Sequence, residues 1–169
     1  MASVLFVCTG NICRSPIAEG LVRALVAGDH KEVRVSSAGI VGWEGSPAVD
    51  EAVQAAAEFG ADISGHRGRR LERRHVEAAD LVVCMAAEHR EAVRRLVPEA
   101  QAKVFGLKEL VRLLEGLPAD PGNEDVVDPI GMSQEVFRSV AADIEEWSDR
   151  LVAALFRSDT DSAPRTATV

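Results

Sequence analysis

A cysteine and an arginine six positions apart, Cys8 and Arg14, are the residues of this chain best suited to chemistry. Cys8 provides a sulfur nucleophile, and Arg14 provides a planar, permanently charged guanidinium that can bind two oxygens of a tetrahedral oxyanion. Between them lie Gly10 and Asn11, the residue types that most readily adopt left-handed backbone angles. Backbone N–H groups exposed by such a turn form a concave anion site. The spacing therefore predicts a phosphate-binding loop with a nucleophile at its base.

The flanking sequence predicts the elements that hold this loop. The apolar run at residues 4–7 indicates a buried β-strand that ends at Cys8. Ser15 is a favoured helix N-cap and Pro16 is tolerated at the first helical position, so we expect a helix to begin there. The positive end of the helix dipole then faces the loop, where it favours a bound anion and the thiolate form of Cys8. We expect the Ser15 hydroxyl to donate a hydrogen bond to that thiolate.

The string CTGNICRSP at positions 8–16 contains the Cys-x5-Arg-Ser signature of cysteine-dependent phosphatases. It resembles the phosphate loop of the low-molecular-weight protein-tyrosine-phosphatase family, in its bacterial type. The resemblance implies that Cys8 and Arg14 are catalytic. The alternative is a buried cysteine followed by an ordinary glycine turn, which leaves Arg14 without a role. The other loop positions that the resemblance assigns to phosphate or substrate binding are Thr9, Gly10, Asn11, Ile12, Cys13 and Ser15.

Strand and helix patterns alternate along the rest of the chain, which is typical of a parallel α/β fold. The sequence predicts a three-layer sandwich with a four-stranded parallel sheet and helices on both faces, and the resemblance implies the same sheet. After the first strand, further strands are predicted at residues 32–36, 80–85 and 103–105. Helices are predicted at residues 15–28, 46–60, 71–79, 88–97 and 107–114, and from Ser133 onward.

Composition restricts the domain number and the partners. A chain of 169 residues with 47% hydrophobic content suits one domain, predicted at residues 1–157, with a disordered tail at 158–169. A net charge of −8 argues against binding to nucleic acid or to an anionic membrane. Three cysteines without a signal-like N-terminal segment predict a reducing, cytoplasmic location rather than a disulfide scaffold. The oligomeric state is left open.

A long Pro-, Gly- and Asp-rich segment at residues 116–132 offers the acid that cleavage of a phosphate ester needs. It contains two candidate dipeptides, Asp120-Pro121 and Asp128-Pro129. We select Asp128 because an apolar pair that can dock the loop precedes it and a capped helix follows. The low-molecular-weight protein-tyrosine-phosphatase family, which this sequence resembles, also carries its Asp-Pro acid at this place. A turn-forming aspartate is the alternative for both residues, and it is the preferred interpretation of Asp120.

The resulting hypothesis is a protein-tyrosine phosphatase that uses no metal and no cofactor. Cys8 attacks phosphorus while Arg14 and the loop N–H groups stabilise the oxygens, and Asp128 protonates the leaving group. Water activated by Asp128 then hydrolyses the phosphocysteine. The predicted partners are phosphorylated proteins, with a bacterial tyrosine kinase as a candidate.

Three other functions were weighed against this hypothesis. A protein-arginine phosphatase of the same family is the nearest alternative. An arsenate reductase would need a closely spaced cysteine pair, and Cys84 stands alone. A phosphocysteine carrier or phosphate-binding module belongs to a different class, and Arg14 and Asp128 argue against it because a carrier must not hydrolyse its own intermediate.

The resemblance also assigns positions outside the loop. Ser37 matches a serine that holds the loop through Asn11, although an ordinary strand-end hydroxyl is an equal alternative. Trp43 matches an aromatic residue that walls the pocket, in preference to half-buried packing. His66 lies near the place of a histidine beneath the loop, but a satisfied or exposed histidine is the favoured interpretation. Pro129 completes the acid dipeptide.

Four further features bear on specificity and regulation. The resemblance implies a reversible Cys8–Cys13 disulfide that shelters the nucleophile, whereas the alternative for Cys13 is a small packed thiol. The sequence has no tyrosine, so the aromatic residues that commonly follow the Asp-Pro acid in the family are missing, and one pocket wall is expected to be aliphatic. Family members specific for phosphoarginine tend to carry threonine where this chain has Ile12, which favours phosphotyrosine. The basic run at residues 67–75 predicts a solvated face or, alternatively, a surface that steers acidic substrates.

Overall fold

In the computed structural model of this protein, residues 2–28 and 32–156 are described. Four parallel strands form one sheet in the order β2-β1-β3-β4, which confirms the predicted sheet. The central strand β1 places Cys8 opposite Gly39 of β2 at the carboxyl edge of the sheet. The strands are β1 at Ser3–Cys8, β2 at Arg34–Gly39, β3 at Leu81–Cys84 and β4 at Val104–Gly106.

Helices cover both faces of the sheet and make three layers. Alternate β1 side chains point to opposite faces, so Phe6 packs on one side and Leu5 and Val7 pack on the other. The Phe6 side holds α1, α2, α5 and α6, and the other side holds α3, α4 and a 3-10 turn. The helices are α1 at Arg14–Val26, α2 at Asp50–Glu58, α3 at Arg73–Ala78, α4 at Ala87–Leu96, α5 at Leu107–Glu115 and α6 at Gln134–Phe156.

Two predicted helix starts were wrong. Helix α1 begins at Arg14 with Cys13 as its N-cap, so Ser15 is the second helical residue and not the cap. Pro16 is tolerated at the third position because the first four helical N–H groups have no intrahelical partner. Helix α2 begins at Asp50 and not at residue 46, because the backbone of residues 46–49 bonds to neighbouring loops instead of forming a helical turn.

Strand β2 differs from its prediction as well. It begins at Arg34 and continues to Gly39, beyond the predicted end at residue 36, because its last residues pair with β1 up to Cys8. This extension brings β2 against the loop that follows Cys8. The tail predicted at 158–169 lies outside the described residues, and the domain boundary at residue 157 stays a prediction.

Two features are absent from the part of the chain that the structure describes. No helix among them is both long enough and apolar enough to cross a membrane. Within the same part of the chain, no three histidine, cysteine, aspartate or glutamate side chains lie together in a group that could hold a metal ion.

Candidate active site

The loop between β1 and α1 turns on a single left-handed residue. Asn11 has φ 57° and is the one non-glycine residue with positive φ among residues 2–28 and 32–156. Gly10, which the sequence also predicted to adopt such angles, does not have positive φ. Gly39 permits the close approach of β2, since a Cβ there would lie 2.7 Å from the Thr9 carbonyl oxygen and 2.8 Å from the Asn11 nitrogen.

Asn11 is fully buried, and hydrogen bonds from several segments hold it. Its Nδ2 donates to Ser15 Oγ at 2.8 Å and to Ser37 Oγ at 2.9 Å. Its Oδ1 accepts from the Arg69 backbone N–H at 2.9 Å, and its carbonyl oxygen lies 2.7 Å from His66 Nε2. These bonds offset the cost of the left-handed backbone, which is unfavourable for an asparagine outside a supporting structure. Ser37 and His66 therefore contact the loop at the places that the resemblance implies.

Cys8 lies at the floor of the loop with its Sγ 2.9 Å from Ser15 Oγ. Because Ser15 Oγ already accepts from Asn11, its own hydrogen is free to point at the sulfur. Donation therefore runs from Asn11 to Ser15 to Cys8, an order that stabilises a thiolate. At Cys13, burial and the neighbouring Cys8 raise the pKa of the thiol to about 12. Both are free thiols, and the reversible disulfide between them stays a prediction.

Arg14 is buried and joins the loop to the long segment that carries the predicted acid. Its Nη1 donates to the Val126 carbonyl oxygen at 3.0 Å, and its Nη2 lies 3.4 Å from Asp128 Oδ2. The Val126 N–H in turn donates to the Met85 carbonyl oxygen at 2.7 Å, just after β3. Of the apolar pair expected to dock the segment, Val126 is buried and Val127 is exposed. One buried valine and the arginine thus hold Asp128 over the loop.

The two Asp-Pro pairs are in different environments. Asp128 lines the cavity above Cys8, and its Oδ1 accepts a hydrogen bond from the Ile130 N–H at 3.2 Å. Asp120 precedes a 3-10 turn and pairs with Arg112 at 3.3 Å, outside the lining of that cavity. Asp128 is thus the Asp-Pro residue that faces the cavity, and its role as the acid stays a prediction.

The cavity above Cys8 has a volume of about 290 Å³ and apolar walls. Ile12, Val41, Trp43 and Ile130 form the walls, and Arg14 lies with Cys8 at the floor. Trp43 is 57% exposed, so it stands at the rim and is not part of the core. Clefts of about 760 and 510 Å³ flank β2, but no cysteine lines either of them. Of these three, the cavity of about 290 Å³ is the one lined by a cysteine.

Three residues around the loop were not found from the sequence. Glu19 accepts a hydrogen bond from Ser37 Oγ, and Arg69 donates through Nε to the Ser37 carbonyl oxygen at 2.8 Å. His89 lies on α4 with its Nε2 2.9 Å from Thr9 Oγ1. The sequence did contain one signal for His89, which lies five residues after β3. Because the carboxyl ends of parallel strands meet at one edge of the sheet, a residue just after β3 can lie near the loop that follows β1.

The basic run at residues 67–75 is more than a solvated face. Arg69 bonds to Asn11 and Ser37, as described above, while Arg73 pairs with Glu77 and Glu99. Arg67 and Arg70 are exposed. Part of the run therefore supports the loop, and steering of acidic substrates stays a prediction.

A parallel α/β sheet that ends in a loop with a cysteine and an arginine is typical of cysteine-dependent phosphatases. The family model for low molecular weight phosphotyrosine protein phosphatase matches residues 3–161. The chain belongs to this low-molecular-weight protein-tyrosine-phosphatase family and is a phosphoric monoester hydrolase. Proteins of the family act on phosphorylated protein substrates.

Individual relatives cover nearly the whole chain. A low molecular weight protein-tyrosine-phosphatase of Streptomyces coelicolor is 40% identical over 159 residues, which is 90% of this chain and 92% of the relative. A protein-arginine-phosphatase of Geobacillus stearothermophilus is 36% identical over 155 residues, 90% of this chain and 95% of the relative. The crystal structure of a low molecular weight protein tyrosine phosphatase from T. tengcongensis superposes with a TM-score of 0.80 at 40% identity, covering 90% of this chain and 98% of that one.

Proposed function

We propose that this chain hydrolyses phosphotyrosine in proteins through a phosphocysteine intermediate. The observation that carries the proposal is the cavity, which has Cys8 and Arg14 at its floor, the Asp128 carboxylate on one side, and mostly apolar side chains as the rest of its wall. A planar aromatic ring fits between such walls, where Trp43 can stack on it. The phosphate of the same substrate would then lie against the loop N–H groups.

In the first step, the Cys8 thiolate attacks phosphorus in line with the leaving oxygen. A sulfur–phosphorus bond forms, the phosphorus–oxygen bond to the substrate breaks, and the bonding electrons go to the departing oxygen. Asp128, protonated at the start, gives its proton to that oxygen, so tyrosine leaves neutral. Arg14 and the backbone N–H groups of the loop stabilise the charge on the three remaining oxygens.

In the second step, Asp128 is ionised and accepts a proton from water as the water attacks phosphorus. The sulfur–phosphorus bond breaks, inorganic phosphate forms, and the thiolate returns. The Ser15 hydroxyl, 2.9 Å from Cys8 Sγ, supports the departing sulfur as its charge develops. The side chain of Asp128 is 46% exposed, which lets solvent water reach it for the second step.

Phosphoarginine is the second candidate substrate, since one of the relatives is a protein-arginine-phosphatase. The carboxylate of Asp128 at the cavity wall could pair with the guanidinium of such a substrate. Against this, the side chains of Ile12 and Val41 offer no partner to the guanidinium N–H groups, and donors that lose water without gaining a partner cost binding energy. The apolar walls therefore favour phosphotyrosine.

The test is a comparison of kcat/KM on two peptides that differ only in phosphotyrosine or phosphoarginine. We expect the wild type to prefer phosphotyrosine, and Ile12→Thr to move the ratio toward phosphoarginine by about tenfold, since one buried hydrogen bond is worth roughly that much. Cys8→Ser is the inactive control for both peptides. A wild type that prefers phosphoarginine would overturn the assignment of substrate, and a wild type inactive on both would overturn the proposed function.

The partner and the location are proposals that follow from the same chemistry. A bacterial tyrosine kinase is the proposed partner, because phosphotyrosine in proteins must be formed by such an enzyme. We propose a cytoplasmic location, because the Cys8 thiol must stay reduced to act and the cytosol keeps thiols reduced.

A further inference from the structure

A buried histidine contacts the phosphate loop at a place that the proposed mechanism does not use. His89 is 1% exposed, and its Nε2 lies 2.9 Å from the hydroxyl oxygen of Thr9, the residue next to the nucleophile. The same hydroxyl oxygen lies 3.4 Å from Nη2 of Arg14. The Thr9 hydroxyl therefore connects a neutral ring to the catalytic guanidinium.

The donor and acceptor groups fix the direction of the bond from Arg14 and allow one direction in which Thr9 donates to His89. Arg14 has donors and no acceptor, so the Thr9 oxygen accepts from it. The Thr9 hydrogen is then available to His89 Nε2, which must be unprotonated to accept it. In this arrangement the ring proton lies on Nδ1, a buried atom without a protein partner among the described residues, and this tautomer is part of the proposal.

The surroundings of His89 keep its ring neutral. Arg14 faces it from the loop, Asp125 and Asp128 face it from the long segment, and Glu88 lies 3.6 Å from its Nε2 on α4. Burial lowers the pKa of His89 to about 4, with the positive charge of Arg14 as the second cause. At neutral pH the ring can therefore accept from Thr9 and carries no charge that would repel the guanidinium.

We propose that His89 is a positioning residue that orients the Thr9 hydroxyl as an acceptor for Arg14 and so holds the guanidinium in place for the phosphate. The proposal rests on the proposed function, in which Arg14 binds the phosphate oxygens. The other contacts of the guanidinium come from Val126 and Asp128 on the long segment. The Thr9 contact is the one provided by the phosphate loop itself. The orientation of the Thr9 hydroxyl therefore affects where the guanidinium lies relative to a phosphate bound in that loop.

The test compares His89→Leu, which keeps an apolar volume but cannot accept, with His89→Gln, whose side-chain oxygen can. We expect His89→Leu to lower kcat/KM on an aryl phosphate and to weaken competitive inhibition by inorganic phosphate, each by about five- to tenfold, the loss of one hydrogen bond. His89→Gln should stay within about twofold of the wild type on both measures. Thr9→Val and Thr9→Ser form the matched pair on the other side of the contact.

A double-mutant cycle separates positioning from packing. If His89 acts through Thr9, His89→Leu adds no further loss to Thr9→Val in phosphate affinity or in kcat/KM. Additive losses would mean that His89 acts by packing alone, and an unchanged His89→Leu would mean that it does not act on the site. Either result overturns the proposal.

Two further measurements hold even if His89→Leu does not fold. Nitrogen-15 NMR of the wild-type ring at pH 7 should show a neutral histidine protonated on Nδ1, and protonation on Nε2 would overturn the proposal. Direct titration of wild type, Thr9→Val and Thr9→Ser with inorganic phosphate needs no turnover. Phosphate affinity therefore tests the positioning role without turnover. The proposed function is tested separately, and it fails if the wild type hydrolyses no aryl phosphate.

Discussion

At the scale of single residues, two side chains divide the work of the proposed reaction. Cys8 is buried beside Ser15, whereas Asp128 is partly exposed and bonded to the neighbouring backbone. A nucleophile needs a defined electrostatic environment, and an acid that later acts as a base needs access to the water that it activates. The two environments match the two roles.

Replacement of Asp128 by alanine should slow esters with poor leaving groups most. Phenyl phosphate should lose about 10²- to 10⁴-fold in kcat, the usual contribution of an acid, because its leaving oxygen needs the proton. para-Nitrophenyl phosphate should lose much less, since its leaving group is stable as an anion. Initial rates on the two esters check this. Asp120→Ala, which changes the other Asp-Pro pair, should leave both rates near wild type, and equal slowing of both esters by Asp128→Ala would contradict the acid role.

At the scale of elements, β1 and β2 shape the loop together. β1 delivers Cys8 to the edge of the sheet, and β2 extends to Gly39, whose missing side chain leaves room for the loop backbone. The outer edge of β2 is closed by arginines, since Arg23 donates to the Val35 carbonyl oxygen at 2.9 Å and Arg69 donates to that of Ser37. Carbonyl groups that are already bonded cannot recruit another strand.

Gly39→Ala should therefore disturb the site through the backbone. A Cβ at this position would meet backbone atoms of Thr9, Gly10 and Asn11 at 2.7 to 2.8 Å, so the loop or β2 must shift. We expect a loss of about 1–3 kcal/mol in the free energy of unfolding, typical of overpacking, and a fall of at least tenfold in kcat/KM. Urea denaturation and aryl phosphate turnover measure the two effects. Gly65→Ala is the control, because a Cβ there meets nothing within 4 Å, and a fully active Gly39→Ala would contradict this role.

At the scale of the whole molecule, the site is assembled from segments far apart in the chain and held between the two helical layers. Met85 after β3 binds Val126, Val126 binds Arg14, and His89 on α4 binds Thr9. The long segment is tied to α5 as well, through Arg112 with Glu124 and Asp120. The stability of the fold and the geometry of the site therefore depend on the same contacts.

The buried His89 should make the fold sensitive to acid. Its pKa is about 4 in the folded protein and near 6.5 when unfolded, so the unfolded state binds more protons between these values. Stability due to this group is complete above pH 6.5 and is lost as the pH falls toward 4, by about 2 kcal/mol at pH 5. Urea denaturation at pH 8 and pH 5 measures the free energy of unfolding at each pH. The decrease from pH 8 to pH 5 should be smaller in His89→Gln than in the wild type, and the difference should be about this amount. Equal losses would mean that His89 is not buried as a neutral group.

The local parts of the site could be predicted from the sequence because they are set by covalent spacing. Cys8, Asn11 and Arg14 belong to one short loop, and the apolar strands around them have patterns that are buried on both faces of a sheet. Asp128 was selected by its dipeptide, its neighbours and the family resemblance. These inferences needed no knowledge of which distant segments meet.

Only the tertiary structure decided how the loop is supported and where helices begin. The contact between Ser15 and Cys8 was predicted from the sequence, but the N-cap role of Ser15 was wrong, because the helix begins one residue earlier with Cys13 as its cap. The contact between His89 and Thr9 joins residues 80 positions apart. Such contacts depend on how helices pack on the sheet, and a hydrogen bond between distant side chains leaves no periodic signal in the sequence.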